Sequence, residues 1–262
     1  MIHLIDDPGD PRIADYRDVR ERDLVGRSGR FIAEGEVVVR HLARSRHRAL
    51  SLLIAEHRLA AQADLIDAFG AQVPVYAAAQ PVMDAIVGFP IHRGVLALGE
   101  RAPDPGPEAI LAGLRDDDVV VVAWGIGNHD NIGGIFRNAA AFGAAGLLLD
   151  ATCCDPFYRK ALRVSVGATL ITPFARLGPE VDLIGLLERH GVGAVALSPS
   201  GGVTLKEFRR RGPVAVILGP EGPGLPADLL SRAHSVRLPM APGFDSLNVS
   251  VVSGVVLHHL RG

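Results

Sequence analysis

The stretch VVVVAWGIGNHDNIGGIFRNAAAFGAAGLLLD, residues 119–150, decides the fold. Its first six residues are continuously apolar and follow Asp116, Asp117 and Asp118. That pattern predicts a strand covered on both faces. IGGIFRNAAAFG, 132–143, reads as a helix, and GLLLD, 146–150, as the next strand. Strand, helix and strand in immediate succession predict a parallel sheet.

The pattern continues toward the C-terminus. PEVDLIGLLERHG (179–191) reads as a helix, VGAVALS (192–198) as a strand, GPVAVILG (212–219) as another and SVRLPM (235–240) as the last. DSLNVSVVSGVVLHHL (245–260) reads as a long apolar helix capped by Asp245 or Ser246. Upstream, ERAPDPGPE (100–108) holds three prolines and a glycine and reads as a linker. It divides the chain into expected domains at 1–102 and 103–262.

The first block also alternates. FIAEGEVVVRHLAR (31–44) reads as a helix, ALSLLIA (49–55) as a strand, and EHRLAAQADLIDAF (56–69) as a helix closed by Gly70. QVPVYAA (72–78), QPVMDAIVG (80–88) and RGVLALGE (93–100) follow as strand, helix and strand. The whole chain therefore reads as α/β, a small unit before a larger parallel sheet.

Composition bounds the class. Of 262 residues 48% are hydrophobic and 21% charged, an ordinary globular balance. No apolar run reaches the roughly 18 residues that span a bilayer. The opening MIHLIDDPGDPR lacks the basic flank and apolar core of a signal peptide, so a cytoplasmic protein is expected. Cys153 and Cys154 are adjacent, which suits neither a disulfide nor a zinc site. Net charge is −2, but residues 27–48 carry Arg27, Arg30, Arg40, Arg44, Arg46 and Arg48 against Glu34 and Glu36. That cluster reads equally as a phosphate-binding surface or a solvated helix face.

Ligands of open parallel sheets bind beyond the carboxyl ends of the strands, so the loops there are the candidate sites. In GIGNHDN, 125–131, Asp130 stands where a dinucleotide fingerprint needs its third glycine. The segment offers Asn131 at or near the N-cap of the helix, with Arg137 and Asn138 one to two turns in. LGPEGPGLP, 218–226, fixes Glu221 among glycines and prolines, a rigid loop with open backbone. In the third segment Ser246, Asn248 and Ser250 interrupt an apolar helix and require hydrogen-bond partners.

Together these segments resemble the three motifs of the SpoU/TrmH family of SPOUT RNA methyltransferases. The matching residues are Asn131, Gly133, Arg137 and Gly143; then Leu218, Gly219, Glu221, Gly222, Gly224 and Leu225; then Pro239, Met240, Ser246, Leu247, Asn248, Val249 and Ser250. The segment Arg163, Ser165, Gly167, Ala168 is similar to the family's connecting stretch, and RFIAEGEVVVRHL and HRGVLALGE to its N-terminal substrate-binding domain.

The resemblance implies an α/β fold: a parallel-sheet SPOUT methyltransferase domain with a C-terminal trefoil knot, preceded by a small α/β RNA-binding domain. It implies a homodimer through the methyltransferase domain, no metal, and S-adenosyl-L-methionine as cofactor. Leu218, Gly219, Gly222, Gly224, Leu238, Met240 and Leu247 would surround that cofactor. Asn131, Arg137, Glu221, Ser246 and Asn248 would carry the chemistry. The implied reaction is 2′-O-methylation of ribose in RNA, with ribosomal RNA expected and transfer RNA the alternative. A non-catalytic RNA-binding paralogue, a base methyltransferase and a nucleotide-dependent oxidoreductase are the competing classes.

Overall fold

The computed structural model describes residues 2–17, 21–87, 94–244 and 246–261. In chain order the elements are β1 (Ile2–Ile5), α1 (Glu21–Ser28), β2 (Arg30–Glu34), α2 (Glu36–Ala43), β3 (Arg48–Ala55), α3 (Ala63–Phe69), β4 (Val75–Ala78), α4 (Gln80–Val87) and β5 (Val95–Glu100). Then follow α5 (Pro107–Leu111), β6 (Val119–Ala123), α6 (His129–Ala141), β7 (Gly146–Leu149), α7 (Arg159–Val164), α8 (Ala168–Ile171) and β8 (Phe174–Arg176). The chain ends with α9 (Leu183–Arg189), β9 (Gly193–Leu197), β10 (Val203–Thr204), β11 (Val214–Leu218), α10 (Ala227–Arg232), β12 (His234–Arg237) and α11 (Val249–Arg261).

These elements form two compact units, Met1–Pro103 with Asp155–Ile171, and Asp104–Cys154 with Thr172–Gly262. The sequence places the break in the proline-rich linker. It gives no sign that α7 and α8, from the middle of the chain, belong with the first unit.

The first unit holds a five-stranded mixed sheet in the order β1-β4-β3-β5-β2. Its edge strand corrects one expectation. Residues 31–44 are not one helix: Arg30–Glu34 pair antiparallel with β5, and only from Glu36 is the chain helical. Gly35 sits between them at φ 92°, a conformation that breaks any helix running through it. Phe31, Ile32 and Ala33 are all buried, so strand pairing here outweighs the helical stripe farther on. Likewise EHRLAAQ forms two short 3₁₀ turns, and only Ala63–Phe69 is α-helical, ending at Gly70 with φ 71°. His92 and Arg93, in the stretch compared with the substrate-binding domain, lie outside the described residues.

His47 is buried in this unit, its ring 5.7 Å from Phe31 and 5.0 Å from Phe157. Its Nδ1 accepts the Ala102 N–H at 3.1 Å, which requires that nitrogen to be unprotonated. Burial first, then the charges of Arg46 and Arg101, push its pKa down to about 4. In the unfolded chain a histidine titrates near 6.5. The neutral ring's contribution is therefore whole above about pH 6.5 and is lost as pH falls toward 4, worth about 3 kcal/mol at most. The difference in unfolding free energy between wild type and His47→Gln should shrink steadily from pH 7 to pH 4.5. A difference independent of pH would remove this account.

The second unit holds a seven-stranded sheet in the order β10-β12-β9-β11-β6-β7-β8, every pair parallel. All five residues of β6 and all five of β11 are buried, as a strand covered on both faces demands. Helix α6 buries Ile132, Ile135, Phe136 and Ala139, and Phe136 meets Phe174 edge-on at 5.3 Å. Burying each of Ile132, Ile135 and Phe136 contributes about 2 kcal/mol by removing it from water. The chain runs β6, β7, β8 in one direction across the sheet, and β9 then lies on the far side of β6 with β11 between them. The switch in direction therefore falls around β11, where such sheets hold ligands at the strands' carboxyl ends.

Candidate active site

Asn131, Glu221 and Asn248, separated by up to 117 positions, meet beyond that end of the sheet. Asn131 Nδ2 donates to Glu221 Oε1 at 3.2 Å. Asn248 Nδ2 donates to Asn131 Oδ1 at 2.8 Å and to Glu221 Oε1 at 3.2 Å. Each arrives on a different element: Asn131 on α6 after β6, Glu221 on the loop after β11, Asn248 at the start of α11 after β12.

The local reasons differ from those expected. Asn131 is not the cap of α6. Asn128 is, its side chain accepting the Asp130 N–H, and Asn131 lies within the helix on its buried face. A buried amide needs partners, and Glu221 and Asn248 supply them. Asp245 lies outside the described residues, and Ser246 does not cap α11, which begins at Val249. Asn248 caps it: Oδ1 accepts the Ser250 N–H at 3.0 Å and the Ser250 hydroxyl at 2.6 Å.

Helices α6 and α11 approach closely enough for this. A Cβ on Gly134 would stand 2.6 Å from Ser250 Cβ. Asn138 Nδ2 donates to the Ser250 carbonyl at 2.6 Å and to Ser253 Oγ at 2.9 Å. Asn248 and Ser253 thus find partners on α6, and the Ser250 hydroxyl finds its own on Asn248.

Two expected residues stand apart. Arg137 is exposed on α6 and forms no hydrogen bond or ion pair among the described residues. Ser246 is exposed and is likewise without a hydrogen bond among them. Of the expected cofactor residues, Leu218 ends β11 in the core, and Gly219 packs so tightly that a Cβ would meet Leu225 Cγ at 2.8 Å. Gly222 and Gly224 take φ of 92° and 72°, with open space where a Cβ would stand. Leu238 and Met240 are half-buried beyond β12, and Leu247 is exposed.

Sequence reasoning missed two supports. Ser198–Gly202, after β9, runs so close to β12 that a Cβ on Gly201 would fall 2.4 Å from the Val236 carbonyl carbon. Arg237 donates to the Gly201 carbonyl at 2.6 Å. The signal was the Gly201-Gly202 pair at a strand end. The second is Asp150, which accepts the Gly125 N–H at 2.8 Å and the Thr152 hydroxyl at 2.7 Å. Burial raises its pKa, but hydrogen bonds from the Cys153 thiol, Gly125 and Thr152 outweigh that and hold the carboxyl below its usual range. Gly125, at φ 67°, in turn lies against Pro220, next to Glu221. Burial pushes the Cys153 thiol up to about 12, so it is inert at neutral pH.

The arginine cluster of the first unit looks different in three dimensions. Arg30 pairs with Asp15 at 2.7 Å, Arg48 with Glu100 at 2.7 Å, and Arg40 with Glu36 at 3.0 Å and Asp64 at 2.9 Å. Arg46 donates to the Pro103 carbonyl. Much of the local excess counted along the sequence is balanced by carboxylates distant in sequence. Among the described residues no group of His, Cys, Asp and Glu is placed to hold a metal, and no helix is long and apolar enough to cross a membrane.

The chain is similar to known proteins in sequence and in fold. The SpoU rRNA Methylase family profile matches residues 118–258. An uncharacterized tRNA/rRNA methyltransferase of Mycobacterium bovis is 36% identical over 264 residues, covering 96% of this chain and 89% of its own length. The AdoMet-bound rRNA methyltransferase from Sinorhizobium meliloti superposes with a TM-score of 0.84 at 25% identity, over 99% of this chain and 97% of that one. An RNA 2′-O ribose methyltransferase shares the fold at a TM-score of 0.80 and 24% identity, over 98% of each chain. The chain belongs to the SpoU family of RNA methyltransferases.

The residues present fit an adenosylmethionine. The carboxyl ends of β12, β9 and β11 are adjacent, and their loops present glycine backbone with open space at Gly222 and Gly224. Leu238 and Met240 follow the end of β12 and Leu247 precedes α11, each with apolar surface at least partly open. A flat ligand with amide-bonding edges and an apolar face suits such a lining.

Proposed function

We propose that this protein methylates a ribose 2′-hydroxyl of RNA, with ribosomal RNA as the substrate. The observation that carries the reading is the hydrogen-bonded set of Asn131, Glu221 and Asn248, three groups that follow three different strands of one sheet. The methyl donor is S-adenosylmethionine, the cofactor bound by the Sinorhizobium protein. Once bound, it supplies a methyl group already activated as a sulfonium. What remains for the chain is to align the hydroxyl, exclude water and receive a proton.

Leu218, Gly219, Gly222, Gly224, Leu238, Met240 and Leu247 hold the donor, the glycines by leaving backbone bare. Asn131, Asn248 and Glu221 form the fixed polar floor beneath the acceptor ribose. Arg137 and Ser246 are exposed and free to meet the RNA. Arginine stays protonated at any physiological pH, so Arg137 acts by charge on phosphate or on the developing oxyanion. The first unit is the RNA-holding domain. A second copy of the chain covers the exposed apolar residues Val251 and Val255, which lie four positions apart on α11.

Unmodified ribosomal and transfer RNA transcripts, each incubated with the protein and isotopically labelled donor, test the reading after digestion to nucleosides and mass spectrometry. A 2′-O-methylnucleoside from ribosomal RNA is expected. A base-methylated product, label in transfer RNA alone, or no label in either would each defeat it.

A further inference from the structure

We infer that Glu221 Oε2 is the atom that takes the proton of the acceptor hydroxyl; the inference rests on the ribose-methylating function proposed above. It follows from the polarity of the hydrogen bonds. The N-terminus of α11 needs an acceptor, and Asn248 Oδ1 fills that need for the Ser250 N–H and hydroxyl. The orientation of the Asn248 amide is thereby set, and its Nδ2 must face the cluster. There it donates to Asn131 Oδ1, so the Asn131 amide is set in turn and directs its own Nδ2 at Glu221. Both amides thus donate to the same carboxylate oxygen, Oε1.

Glu221 Oε1 is occupied, while Oε2 has no partner among the described residues and Glu221 is exposed. An ionised carboxylate offers two acceptor oxygens, and this one is anchored by one and presents the other. The rest of the cluster cannot take a proton: primary amides are not basic at neutral pH, and their acceptor oxygens are engaged.

A carboxylate is strong enough for the task. As the new O–CH₃ bond forms and the S–CH₃ bond breaks, the hydroxyl oxygen becomes positively charged and its O–H strongly acidic. The proton passes to Glu221 Oε2, leaving a neutral methyl ether and a neutral carboxylic acid, which returns the proton to water. Atoms and charge balance with no other reactant. Arg137, already protonated and outside the cluster, has no lone pair to offer.

Glu221→Gln is the test, because it keeps size and an Oε acceptor for the two amides but removes the basic oxygen. Single-turnover methylation of an unmodified ribosomal RNA transcript should fall by about 100-fold or more. Adenosylmethionine and RNA dissociation constants, measured by calorimetry and filter binding, should stay within about threefold of wild type. Glu221→Asp should recover part of the rate, and Arg137→Ala should weaken RNA binding more than the single-turnover rate. Near-native turnover in Glu221→Gln overturns the inference. So does a rate loss matched by a loss of adenosylmethionine affinity, which would make Glu221 a cofactor ligand. The product nucleoside of the wild type is read in the same experiment. A base-methylated product would fail the ribose reading and this inference with it, whereas a 2′-O-methylated product with near-native Glu221→Gln turnover would fail the inference alone.

Discussion

Asn248→Asp is expected to slow methyl transfer by about 100- to 1000-fold, the loss typical of removing one oriented hydrogen-bond donor from an active site. Aspartate has nearly the shape of asparagine but no Nδ2 donor. The bonds to Asn131 Oδ1 at 2.8 Å and to Glu221 Oε1 at 3.2 Å both disappear, and a second negative charge is placed beside the Glu221 carboxylate. Two carboxylates so close disfavour each other's ionised forms. The helix is spared, because aspartate caps as well as asparagine and still accepts the Ser250 N–H. Unfolding free energy should therefore fall by no more than about 1 kcal/mol. Asn248→Ala separates the two roles from the other side, losing the cap along with the donor. If Asn248→Asp methylates RNA at the wild-type rate, the cluster is not the catalytic floor.

Gly201→Ala is expected to destabilise the fold by about 3 kcal/mol or more, at the upper end for an overpacked site. The added Cβ would lie 2.4 Å from the Val236 carbonyl carbon and 2.5 Å from the Arg237 nitrogen. These are backbone atoms, and they belong to a strand whose Val236 carbonyl accepts the Ser198 N–H at 3.0 Å. Relief requires β12 to move from β9, and with it the loop that leads to Asn248. Adenosylmethionine affinity should fall by at least about tenfold, in step with the distortion. Gly202→Ala is the control. There the nearest atom is the Ser235 carbonyl oxygen at 4.0 Å, so a change within about 1 kcal/mol is expected. Equal behaviour of the two variants in urea unfolding would contradict this explanation.

How much was legible in advance differs from place to place. The strands of the second unit could be read because burial on both faces leaves a continuous apolar run, as in Val119–Ala123 and Val214–Leu218. Glu221 stood out because a carboxylate among glycines and prolines has no packing reason to be there. Strand β2 was hidden because its residues join smoothly to the apolar face of α2, and only the positive φ of Gly35 divides them. Asn131 and Asn248 were recognised as candidates, but their local roles were misassigned. A cap is defined by which N–H its oxygen reaches, and Asn128 and Asn131 are equally good caps by composition.

The central strands of the second unit, the helices that follow them and the candidate loops beyond their ends were determined by the sequence, because periodicity and turn chemistry are local properties of the chain. What only the tertiary structure decided is which of the candidate residues lie together. It joined Asn131, Glu221 and Asn248 while leaving Arg137 outside, and it set both amides toward one oxygen of Glu221. It also balanced Arg30, Arg40 and Arg48 with Asp15, Asp64 and Glu100, partners that no count over neighbouring residues would include. Hydrogen-bond polarity and charge pairing act across a few ångströms of space, and separation along the chain carries little information about either.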